Sequence, residues 1–540
     1  MRRRDFIGLS AATLALSACE PLARLRGLGI PLSVLRPGMA DGHRLRDAIK
    51  LPEPGGELST GVAILGGGIA GLTAAWRLAR EGYTDFILLD GPEPDGNAAA
   101  TRFSVGAENY AAPRGAHYLP LPSRESTHVR EILADLGVIR ANPQSERPEY
   151  DESALVHSPE ERVWYQGAWH EDLLPTRALP EAEAAQHRRF EALIASLRTA
   201  RGADGRKLFA IPIVESSRDP VWRALDRLSF AAWLRREGYT APSLLTYLDY
   251  ASRDDYGAGL AGISAWAGLH YFAARDGRAA NAEPGAVLTW PDGLQTLARG
   301  LGKYIPAGQR YAGYALRIEE GRNGVRVLCR DKDGKVYTLN ARRAICALPL
   351  HVAARVVPNL AGYGFDARRH LPESAPWLVG NILLRGFPKE QAGVNLAWDN
   401  VVHGSRGLGW VVSTHQDLRA ARPAHTVFTT YRALADATPR AGRDLLQRAP
   451  DTELLALALE DMEQVYHPLD LWRRMQAVEL ILRGHGMAIP RPGYLDNPGL
   501  AALRSTDGRL LFAHGDLSGY SVFEEAAWWG DIAAQRILKG

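Results

Sequence analysis

Residues 61–71 read GVAILGGGIAG, and this stretch decides how the chain begins to fold. The apolar run 61–65 is typical of a short buried strand, and an amphipathic helical pattern covers residues 72–80. A second apolar run, residues 85–89, ends in Asp90. Strand, glycine turn, helix and strand in this order predict a β-α-β unit whose helix N-terminus faces an anion.

Three glycines of the turn have separate roles in such a unit. Gly66 makes the tight turn, Gly68 lets the backbone approach a pyrophosphate, and Gly71 allows the helix to pack closely on the strand. Asp90 lies 19 residues after Gly71, where a carboxylate accepts hydrogen bonds from ribose hydroxyls. The alternative is a glycine turn that serves packing alone. Because strand, helix, second strand and acid are all in register, the sequence predicts a dinucleotide-binding site.

The choice between NAD and FAD depends on the far end of the chain. Residues 509–513 read RLLFA, which is a strand-like run, and residues 514–520 read HGDLSGY. A helical stretch follows at residues 523–538. Together these residues resemble the closing FAD-binding motif of the flavin amine oxidases.

That resemblance implies FAD as the cofactor. It implies that Gly515 and Asp516 reach the ribityl-phosphate region of the flavin. Glu524, in the first turn of the last helix, is expected near the O2 edge of the isoalloxazine. The alternative is an ordinary strand, turn and helix at the end of a domain.

Two further parts of the chain are similar to the same family. Residues 290–301 and 325–349 resemble its second FAD-binding segment, although Asp292 replaces the first glycine of the family's Gly-Gly pair. Arg102 and the segment PRGAHY at residues 113–118 fit the place where the family passes its early loops over the flavin. Arg102 is therefore expected to contact the cofactor.

The resemblance implies an α/β fold, in which a Rossmann-like FAD-binding domain of the amine oxidase type is interleaved with an α+β substrate domain. The chain is expected to cross between the two domains several times. The expected segments are a signal with a lipobox at 1–19, a tether at 20–60, FAD-binding parts at 61–123, 286–355 and 481–540, and substrate-domain parts at 124–285, mostly helical, and 356–480.

Candidate catalytic residues come from the positions where the family has a lysine and two caging aromatic residues. Asn381, in the run PWLVGNI at residues 376–382, falls about where the family has a lysine linked through water to flavin N5. Tyr520 matches one cage tyrosine, and His485 stands in the stretch that supplies the other. An unperturbed histidine pKa near ~6.5 suits an acid or base role. Gly484 stands about where the monoamine oxidases attach the flavin to a cysteine, so FAD is expected to bind non-covalently.

Each candidate also has a purely structural interpretation. Asn381 can hydrogen-bond a neighbouring strand, His485 can be a turn residue, and Tyr520 can simply pack on the flavin ring. The run DDY at residues 254–256 is expected to cap or pair locally rather than to catalyse.

The N-terminus has the features of an export signal. Arg3 and Arg4 precede Asp5, Phe6 and Ile7 in the arrangement of twin-arginine signals, and an alanine-rich stretch too short to span a bilayer follows.

A possible lipid attachment site follows that stretch. Residues 16–19 read LSAC and resemble a lipobox, in which Cys19 becomes the lipidated first residue. The alternative is a signal with a fortuitous cysteine. We expect export by the twin-arginine machinery to the periplasm, with a lipid anchor in the membrane at Cys19.

Composition argues against several other classes of protein. With 46% hydrophobic and 23% charged residues, the chain can bury a large core. Its formal charge is only +3 and its arginines are scattered, so a nucleic-acid partner is not expected. Cys329 and Cys346 lie in apolar, strand-like runs, where free thiols pack as small hydrophobes. Neither a disulfide framework nor a metal site is expected.

These features predict an FAD-dependent, amine oxidase-like oxidoreductase that moves a hydride from a C–N or C–C bond of a small molecule to FAD. One alternative is a dehydrogenase of the phytoene desaturase type, which the absent lysine makes more credible. Another is a non-catalytic flavoprotein partner in an envelope complex. The sequence fixes neither the substrate nor the electron acceptor, which is either dioxygen or a quinone-linked carrier.

Overall fold

The computed structural model describes residues 25, 27–47, 50–156, 160–175, 178–416 and 423–540. The expected signal at 1–19, with Cys19, lies outside these residues. Among the described residues, no helix is long and apolar enough to cross a membrane.

Strands in the described part of the chain are numbered in sequence order. They are β1 Leu32–Leu35, β2 Glu57–Leu65, β3 Phe86–Leu89, β4 Ala100–Val105, β5 Glu108–Pro113, β6 Tyr118–Pro120, β7 Ile139–Ala141, β8 Glu149–Tyr150, β9 Glu161–Tyr165, β10 Ala168–Glu171, β11 Val287–Thr289, β12 Arg310–Tyr311, β13 Gly313–Glu320, β14 Val325–Asp331, β15 Val336–Cys346, β16 Ser374–Arg385, β17 Asp399–Val402, β18 Trp410–Val412, β19 His425–Ala433, β20 Met475–Ala488 and β21 Leu510–Phe512.

Helices in the described part are numbered in the same way. They are α1 Met39–Asp47, α2 Ile69–Arg80, α3 Thr127–Asp135, α4 Glu181–Thr199, α5 Pro220–Arg223, α6 Phe230–Arg236, α7 Pro242–Tyr256, α8 Ala265–Ala273, α9 Gln295–Gly302, α10 Leu350–Val356, α11 Ala367–His370, α12 Pro439–Arg448, α13 Asp451–Val465, α14 Pro468–Arg474, α15 Pro498–Arg504 and α16 Phe523–Leu538.

The first sheet contains the β-α-β unit that the sequence predicts. Its strands lie in the order β12-β3-β2-β15-β14-β13, and β21 also pairs with β15. Strands β2, β3, β12, β15 and β21 pair in parallel, whereas β13, β14 and β15 form an antiparallel meander. The predicted α/β class is therefore confirmed. Helix α2 begins at Ile69 rather than at residue 72, so Gly71 lies in its first turn and not in the preceding loop.

Helices α2 and α16 pack against each other beside this sheet. A Cβ atom on Gly530 would lie 2.1 Å from the carbonyl oxygen of Ala70, so only glycine allows this approach. The buried Arg77 of α2 forms an ion pair with Asp531 of α16. The two ends of the chain are thus joined in one domain, as the interleaved arrangement requires.

The second sheet has eight strands in the order β1-β20-β16-β19-β18-β17-β9-β10. Most neighbours are antiparallel, but β1 runs parallel to β20, and β17 runs parallel to β9. One apolar core, which includes Phe230, Trp266 and Tyr431, joins this sheet to helices α4, α6, α7 and α8. Another core, which includes Leu454 and Met462, joins the sheet to α13 and α14. The sheet therefore lies between two helical layers.

Two expectations about segment boundaries differ from the structure. Within the stretch 20–60, expected to be an irregular tether, Leu32–Leu35 forms an edge strand and Met39–Asp47 forms a helix. A four-residue strand is too short to show a period in the sequence, and its pairing with β20 stabilises it. The boundary at residue 480 falls inside β20, because this strand continues in the second sheet to Ala488.

Cys329 and Cys346 are both buried in strands of the first sheet. Burial raises the pKa of each thiol to about 12. This confirms the prediction that they pack as small hydrophobic side chains.

Candidate functional site

The glycine turn after β2 has a shape that only glycine permits at its first position. Gly66 has a φ angle of +120°, and its N–H group donates a hydrogen bond to the carbonyl of Leu89 at 2.9 Å. A Cβ atom on Gly66 would lie 2.6 Å from the carbonyl oxygen of Ala347. Side chains are therefore excluded where β2, β3 and β15 meet.

Gly71 and Gly68 differ in what surrounds them. A Cβ atom on Gly71 would lie 1.8 Å from the carbonyl oxygen of Gly66, so this glycine is required by packing. Gly68 has an extended backbone and caps α2 without a side-chain hydrogen bond, and a Cβ atom there would meet nothing within 4 Å. Open space beside an uncapped helix N-terminus is the arrangement that accepts a pyrophosphate. The residues present therefore fit a dinucleotide.

Asp90 follows the last residue of β3 and lies against the glycine turn. Its carbonyl accepts a hydrogen bond from Gly67 N–H at 2.7 Å, and its carboxylate accepts one from Arg310 Nε at 2.7 Å. Burial raises the pKa of Asp90, and the positive charge of Arg310 opposes this change. The acid stands at the end of the second strand as expected, and its contact with a ribose stays a prediction.

Asp516 is held from several sides at the turn after β21. Its carboxylate accepts hydrogen bonds from the N–H of Leu350 at 3.0 Å and from the hydroxyl of Ser521 at 3.2 Å. Burial acts to raise the pKa of Asp516, but His514 and the Leu350 N–H outweigh it and hold that pKa well below its usual value. Gly515 is buried beside it at the start of the short 3-10 turn Gly515–Ser518. Gly515 and Asp516, the expected cofactor-binding pair, therefore lie in a hydrogen-bonded turn that carries the negative charge of Asp516.

Glu524 and Arg102 have contrasting surroundings. Glu524 is buried in the first turn of α16, where its carbonyl accepts a hydrogen bond from His128 Nε2 at 2.8 Å. Burial raises the pKa of its carboxyl group to about 7. Arg102 lies on β4 with 40% of its side chain exposed, 3.5 Å from the carboxylate of Asp292. Contact of Arg102 with the cofactor stays a prediction.

The early loops connect the glycine turn to the second sheet. A Cβ atom on Gly96 would lie 3.4 Å from the Cα atom of Gly68. The next residue, Asn97, accepts a hydrogen bond through its carbonyl from Ala116 N–H at 2.9 Å. Arg483 of β20 donates to the carbonyl of Arg114 at 2.8 Å. The segment 113–118 therefore lies between the glycine turn and the second sheet.

Asn381 is fully buried in the middle of β16. Its amide nitrogen donates to the carbonyl of Pro113 at 3.1 Å, and its amide oxygen accepts from the hydroxyl of Thr429 at 2.8 Å. The side chain thus joins three strands, which agrees with the structural interpretation. Its partner Pro113 begins the segment 113–118, which is expected to pass over the flavin.

Tyr520 packs in the core that joins the helices to the second sheet. Its ring makes edge contacts with Tyr256 and His270, each at 5.7 Å between ring centres. Its hydroxyl is buried and has no hydrogen-bond partner among the described residues.

His485 has different surroundings, because it is exposed on β20 and its ring stacks on His351 at 4.1 Å. Partial desolvation and the charges of His351 and Arg443 lower the pKa of His485. The strand continues through this residue, so the interpretation of His485 as a turn residue does not hold. Among the described residues, the rings of His485 and Tyr520 contact different partners.

Aromatic residues that sequence reasoning did not single out collect beside the segment 113–118. His117 stacks on Tyr431 of β19 with 4.3 Å between ring centres, and the Tyr431 hydroxyl donates to the carbonyl of Gly115 at 3.1 Å. Burial lowers the pKa of His117 to about 4, so its ring is neutral at pH 7. Trp398 lies within 6.1 Å of both His117 and Tyr118. The signal available in the sequence was the HY pair inside a segment already expected over the flavin.

A carboxylate completes this cluster. Asp254, at the end of α7, lies 3.5 Å from the hydroxyl of Tyr118. Its neighbours behave as expected for a locally paired run, because Asp255 forms an ion pair with Arg275 and Tyr256 donates to the carbonyl of Ala267. Asp254 instead faces the aromatic cluster, and burial raises its pKa to about 7.

Comparison with known proteins agrees with this geometry. A family model described as flavin-containing amine oxidoreductase matches residues 69–538. The chain belongs to the flavin-containing amine oxidoreductase family. FAD is therefore its cofactor, and the protein is an FAD-dependent oxidoreductase.

Several solved structures share the fold of this chain at low sequence identity. Putrescine oxidase bound to putrescine superposes with a TM-score of 0.63 and 14% identity, over 90% of this chain and 100% of the other. Cyclohexylamine oxidase from Brevibacterium oxydans IH-35A gives 0.61 and 17%, over 89% and 99%. A CLA-producing fatty acid isomerase from P. acnes gives 0.56 and 15%, over 88% and 98%. No curated protein matches the chain.

Proposed function

We propose that this protein oxidises an amine at its C–N bond. The observation that carries the proposal is the cluster of His117, Tyr118, Tyr431 and Asp254. His117 and Tyr118 belong to the segment 113–118, which hydrogen-bonds to the loop at Asn97 beside the glycine turn. Aromatic faces and a carboxylate attract a protonated amine. The relatives named putrescine oxidase and cyclohexylamine oxidase support an amine as the substrate.

Hydride acceptance is the chemistry that bound FAD would supply, with dioxygen or a quinone-linked carrier as the final two-electron acceptor. The turn at Gly66–Gly68, Asp90 and Asp516 would hold FAD, without a covalent bond because Gly484 stands at the attachment position. Asp254 would hold the proton that the incoming ammonium group gives up. Tyr431 is fixed by its hydrogen bond to Gly115, so its ring would orient the amine and, with Trp398, exclude water.

Oxidation of a C–C bond, as in the phytoene desaturases, is the second candidate. It is favoured by Asn381, which stands where the amine oxidases have a lysine. The side-chain amide of Asn381 is already hydrogen-bonded to Pro113 and Thr429. Buried carboxylates oppose it, because a hydrocarbon gives them no partner. The third candidate is a non-catalytic flavoprotein partner, whose bound flavin no substrate would reduce.

The proposal includes location in the periplasm. Its support is the twin-arginine pattern at Arg3 and Arg4 and the lipobox at Cys19. Export of a folded chain suits a protein that binds its cofactor in the cytoplasm.

Anaerobic reduction of the protein-bound flavin tests the function directly. Primary amines should bleach the flavin absorbance, whereas polyprenyl hydrocarbons should leave it unchanged. Bleaching by polyprenyl compounds alone would support the desaturase reaction and overturn the proposal. A flavin that responds to neither class would support a non-catalytic role.

A further inference from the structure

The first described residues of the chain pack on the second sheet. Leu25 is 1% exposed and belongs to the same apolar core as Trp472 of α14. Strand β1 then pairs in parallel with β20, with Leu32 opposite Val478. Helix α14 runs directly into β20 at Met475. The residues just before β1 therefore lie beside the junction of α14 with β20.

Two apolar side chains are exposed on this part of the surface. Leu28 is 54% exposed, and Leu469, in the first turn of α14, is 60% exposed. The described part of the chain exposes one other large hydrophobic side chain, Val221 of α5. Single exposed apolar residues are ordinary on protein surfaces. Leu28 and Leu469 differ because both lie near the place where the chain enters the fold.

Exposed cations lie next to α14. Arg473 is in the last turn of this helix. The backbone N–H of Lys389 donates a hydrogen bond to the side chain of Asp470 in α14 at 3.0 Å, so the loop that carries Lys389 packs on the helix. Arg385 ends β16, the strand that pairs with β20 as far as Met475. The side chains of Arg385, Lys389 and Arg473 are all exposed.

Within the described part of the chain, none of these three cations takes part in an ion pair. The neighbouring carboxylates along the chain are already paired, Asp470 with Arg474 and Glu390 with Arg162. The surface therefore carries uncompensated positive charge, which attracts anionic lipid headgroups. We call Leu28, Leu469, Arg385, Lys389 and Arg473 the anchor face.

The length of chain before Leu25 limits where a membrane can lie. Cys19, the residue expected to carry a lipid, is six positions before Leu25. Six fully extended residues reach at most about 20 Å. A compact chain of 540 residues has a radius of gyration of about 24 Å, so this reach is much shorter than the width of the protein. A membrane that holds Cys19 must therefore lie against the surface around Leu25.

A lipid surface fits the anchor face better than a second copy of the chain does. Two copies related by a twofold axis would bring Arg385, Lys389 and Arg473 close to the same residues of the other copy. Anionic headgroups would instead pair with these cations. Leu28 and Leu469 would enter the apolar boundary below the headgroups.

We propose that the anchor face docks on a membrane that contains anionic lipid, so that the tethered protein lies on the bilayer in one orientation. This inference rests on the proposed location, because the lipid at Cys19 brings the anchor face to the membrane. Two leucines and three cations bind a bilayer only reversibly, and the tether supplies the local concentration that keeps them there.

The experiment tethers the FAD-loaded protein to vesicles without its natural lipid. A hexahistidine tag replaces residues 1–19 and binds a nickel-chelating lipid in vesicles of phosphatidylethanolamine and phosphatidylglycerol at about 7 to 3, which supply the anionic surface. A fluorescent label at Gln476→Cys, an exposed position at the start of β20, reports contact. Cys329 and Cys346 are buried and stay unlabelled. Lipids with a nitroxide on the acyl chain quench a label that lies at the bilayer.

The label at Gln476→Cys should be quenched about twofold or more, because a docked apolar face enters about 5–10 Å into the headgroup boundary. The same label at Val221→Cys should keep its fluorescence. Val221 lies on α5, whose Trp222 packs in the core on the other face of the second sheet. A tag moved to the C-terminus, after Gly540, should leave the Gln476→Cys label unquenched.

Variants of the two leucines test the apolar contact. The double variant Leu28→Glu, Leu469→Glu should abolish quenching at Gln476→Cys, whereas Val221→Glu should keep it. All three replaced side chains are exposed, so thermal unfolding should match wild type in each variant.

Variants of the cations test the ionic contact. The double variant Lys389→Glu, Arg473→Glu should weaken the quenching, because each cation near an anionic surface adds about tenfold or less to the binding constant. Arg326→Glu, an exposed cation on β14 of the first sheet, is the matched control and should follow wild type.

Three outcomes would overturn the inference. The first is an unquenched label at Gln476→Cys on the tethered wild-type protein. The second is equal quenching in wild type and in the double leucine variant, because the tether alone would then explain it. The third is a fluorescence change that depends on protein concentration and not on lipid, which would assign the face to a second copy of the chain.

These outcomes are independent of the proposed location. Docking on vesicles by a protein that cells neither export nor lipidate would refute the location and leave the docking face standing. A protein that is exported and carries a lipid by mass spectrometry, but whose label stays unquenched, would keep the location and refute the docking face.

Discussion

The side-chain amide of Asn381 donates a hydrogen bond to the carbonyl oxygen of Pro113 at 3.1 Å. This bond ties strand β16 of the second sheet to the segment 113–118, which hydrogen-bonds to the loop at Asn97 beside the glycine turn. The same amide accepts from Thr429, so the residue at the family's lysine position is fixed in place. The relative position of the two domains depends on such contacts.

Asn381→Leu should lower the stability of the protein by about 1–3 kcal/mol, because the buried carbonyl of Pro113 and hydroxyl of Thr429 lose their partner. Flavin reduction by an amine should change by less than about tenfold, since a positioned proton-transfer group would cost ~10²–10⁴-fold. Urea unfolding and anaerobic rapid mixing measure the two effects. Thr429→Val removes one of the same hydrogen bonds and serves as the matched comparison. A large rate loss in a stable Asn381→Leu protein would give this residue a catalytic role.

Gly68→Val should abolish FAD binding while the fold remains. The Gly68 backbone is extended and a Cβ atom there meets no protein atom within 4 Å, so we expect the added side chain to occupy the space of the pyrophosphate. Flavin absorbance per mole of protein and the circular dichroism spectrum check this. Gly42→Val in α1, where a Cβ atom also meets nothing within 4 Å, should keep its FAD. Full flavin content in Gly68→Val would mean that the pyrophosphate lies elsewhere.

His485→Ala should slow flavin reduction by less than about tenfold, because this exposed ring stacks on His351 and its lowered pKa leaves it neutral at pH 7. An acid or base in the reaction would cost ~10²–10⁴-fold. Anaerobic reduction rates over pH 5 to 9 distinguish the two cases. A loss of ~10²–10⁴-fold in the rate of flavin reduction would contradict this prediction and give His485 an acid or base role in the reaction.

Tyr520→Phe should leave stability unchanged or slightly raised, since the buried hydroxyl has no partner among the described residues. Thermal unfolding of the FAD-loaded protein measures this. Slower flavin reduction at unchanged stability would show that the hydroxyl contacts the substrate. Tyr110→Phe, on the hairpin β4–β5 away from this core, provides a second tyrosine for comparison.

The carboxyl groups of Glu160, Glu161 and Asp254 should contribute stability that falls as pH rises from about 4 to about 7. Their pKa values are raised to about 7, so the folded state keeps protons that the unfolded chain has already lost. More protons on the folded state mean that this contribution decreases with pH in this window and becomes constant above it. Buried histidines such as His117, whose pKa is lowered to about 4, act in the opposite direction, so the effect is read from the difference between wild type and Glu161→Gln. Melting temperatures at pH 5, 6, 7 and 8 measure that difference.

Glu161→Gln should lose less stability, or gain more, than wild type as pH rises through this window. Asp444→Asn, on the exposed face of α12, is the control and should follow wild type. Identical slopes in Glu161→Gln and wild type would contradict the raised pKa.

Replacing Arg3 and Arg4 by lysine should retain the protein in the cytoplasm, because the export receptor needs the paired guanidinium groups. Cell fractionation and immunoblotting measure this. Cys19→Ala should leave export intact and release the protein from the membrane pellet. Cys19→Ala protein that still sediments with membranes would contradict lipidation.

The sequence by itself determined the FAD-binding half of the protein. The strand, glycine turn, helix and Asp90 are neighbours along the chain, and local spacing fixes how they fold. The closing segment around Asp516 and the last helix followed from its resemblance to the family, and helix α16 spans Phe523–Leu538 as the sequence predicts.

Tertiary structure alone decided the surroundings of the site. Asn381, His485 and Tyr520 could be named from the sequence, but their partners come from distant segments. Only the folded chain shows that Asn381 is buried between strands and that His485 is exposed. Tyr118, Tyr431 and Asp254 come from two strands and a helix that are far apart in sequence. Their meeting depends on the packing of α7 against the second sheet, so no local pattern could have revealed the cluster that they form with His117.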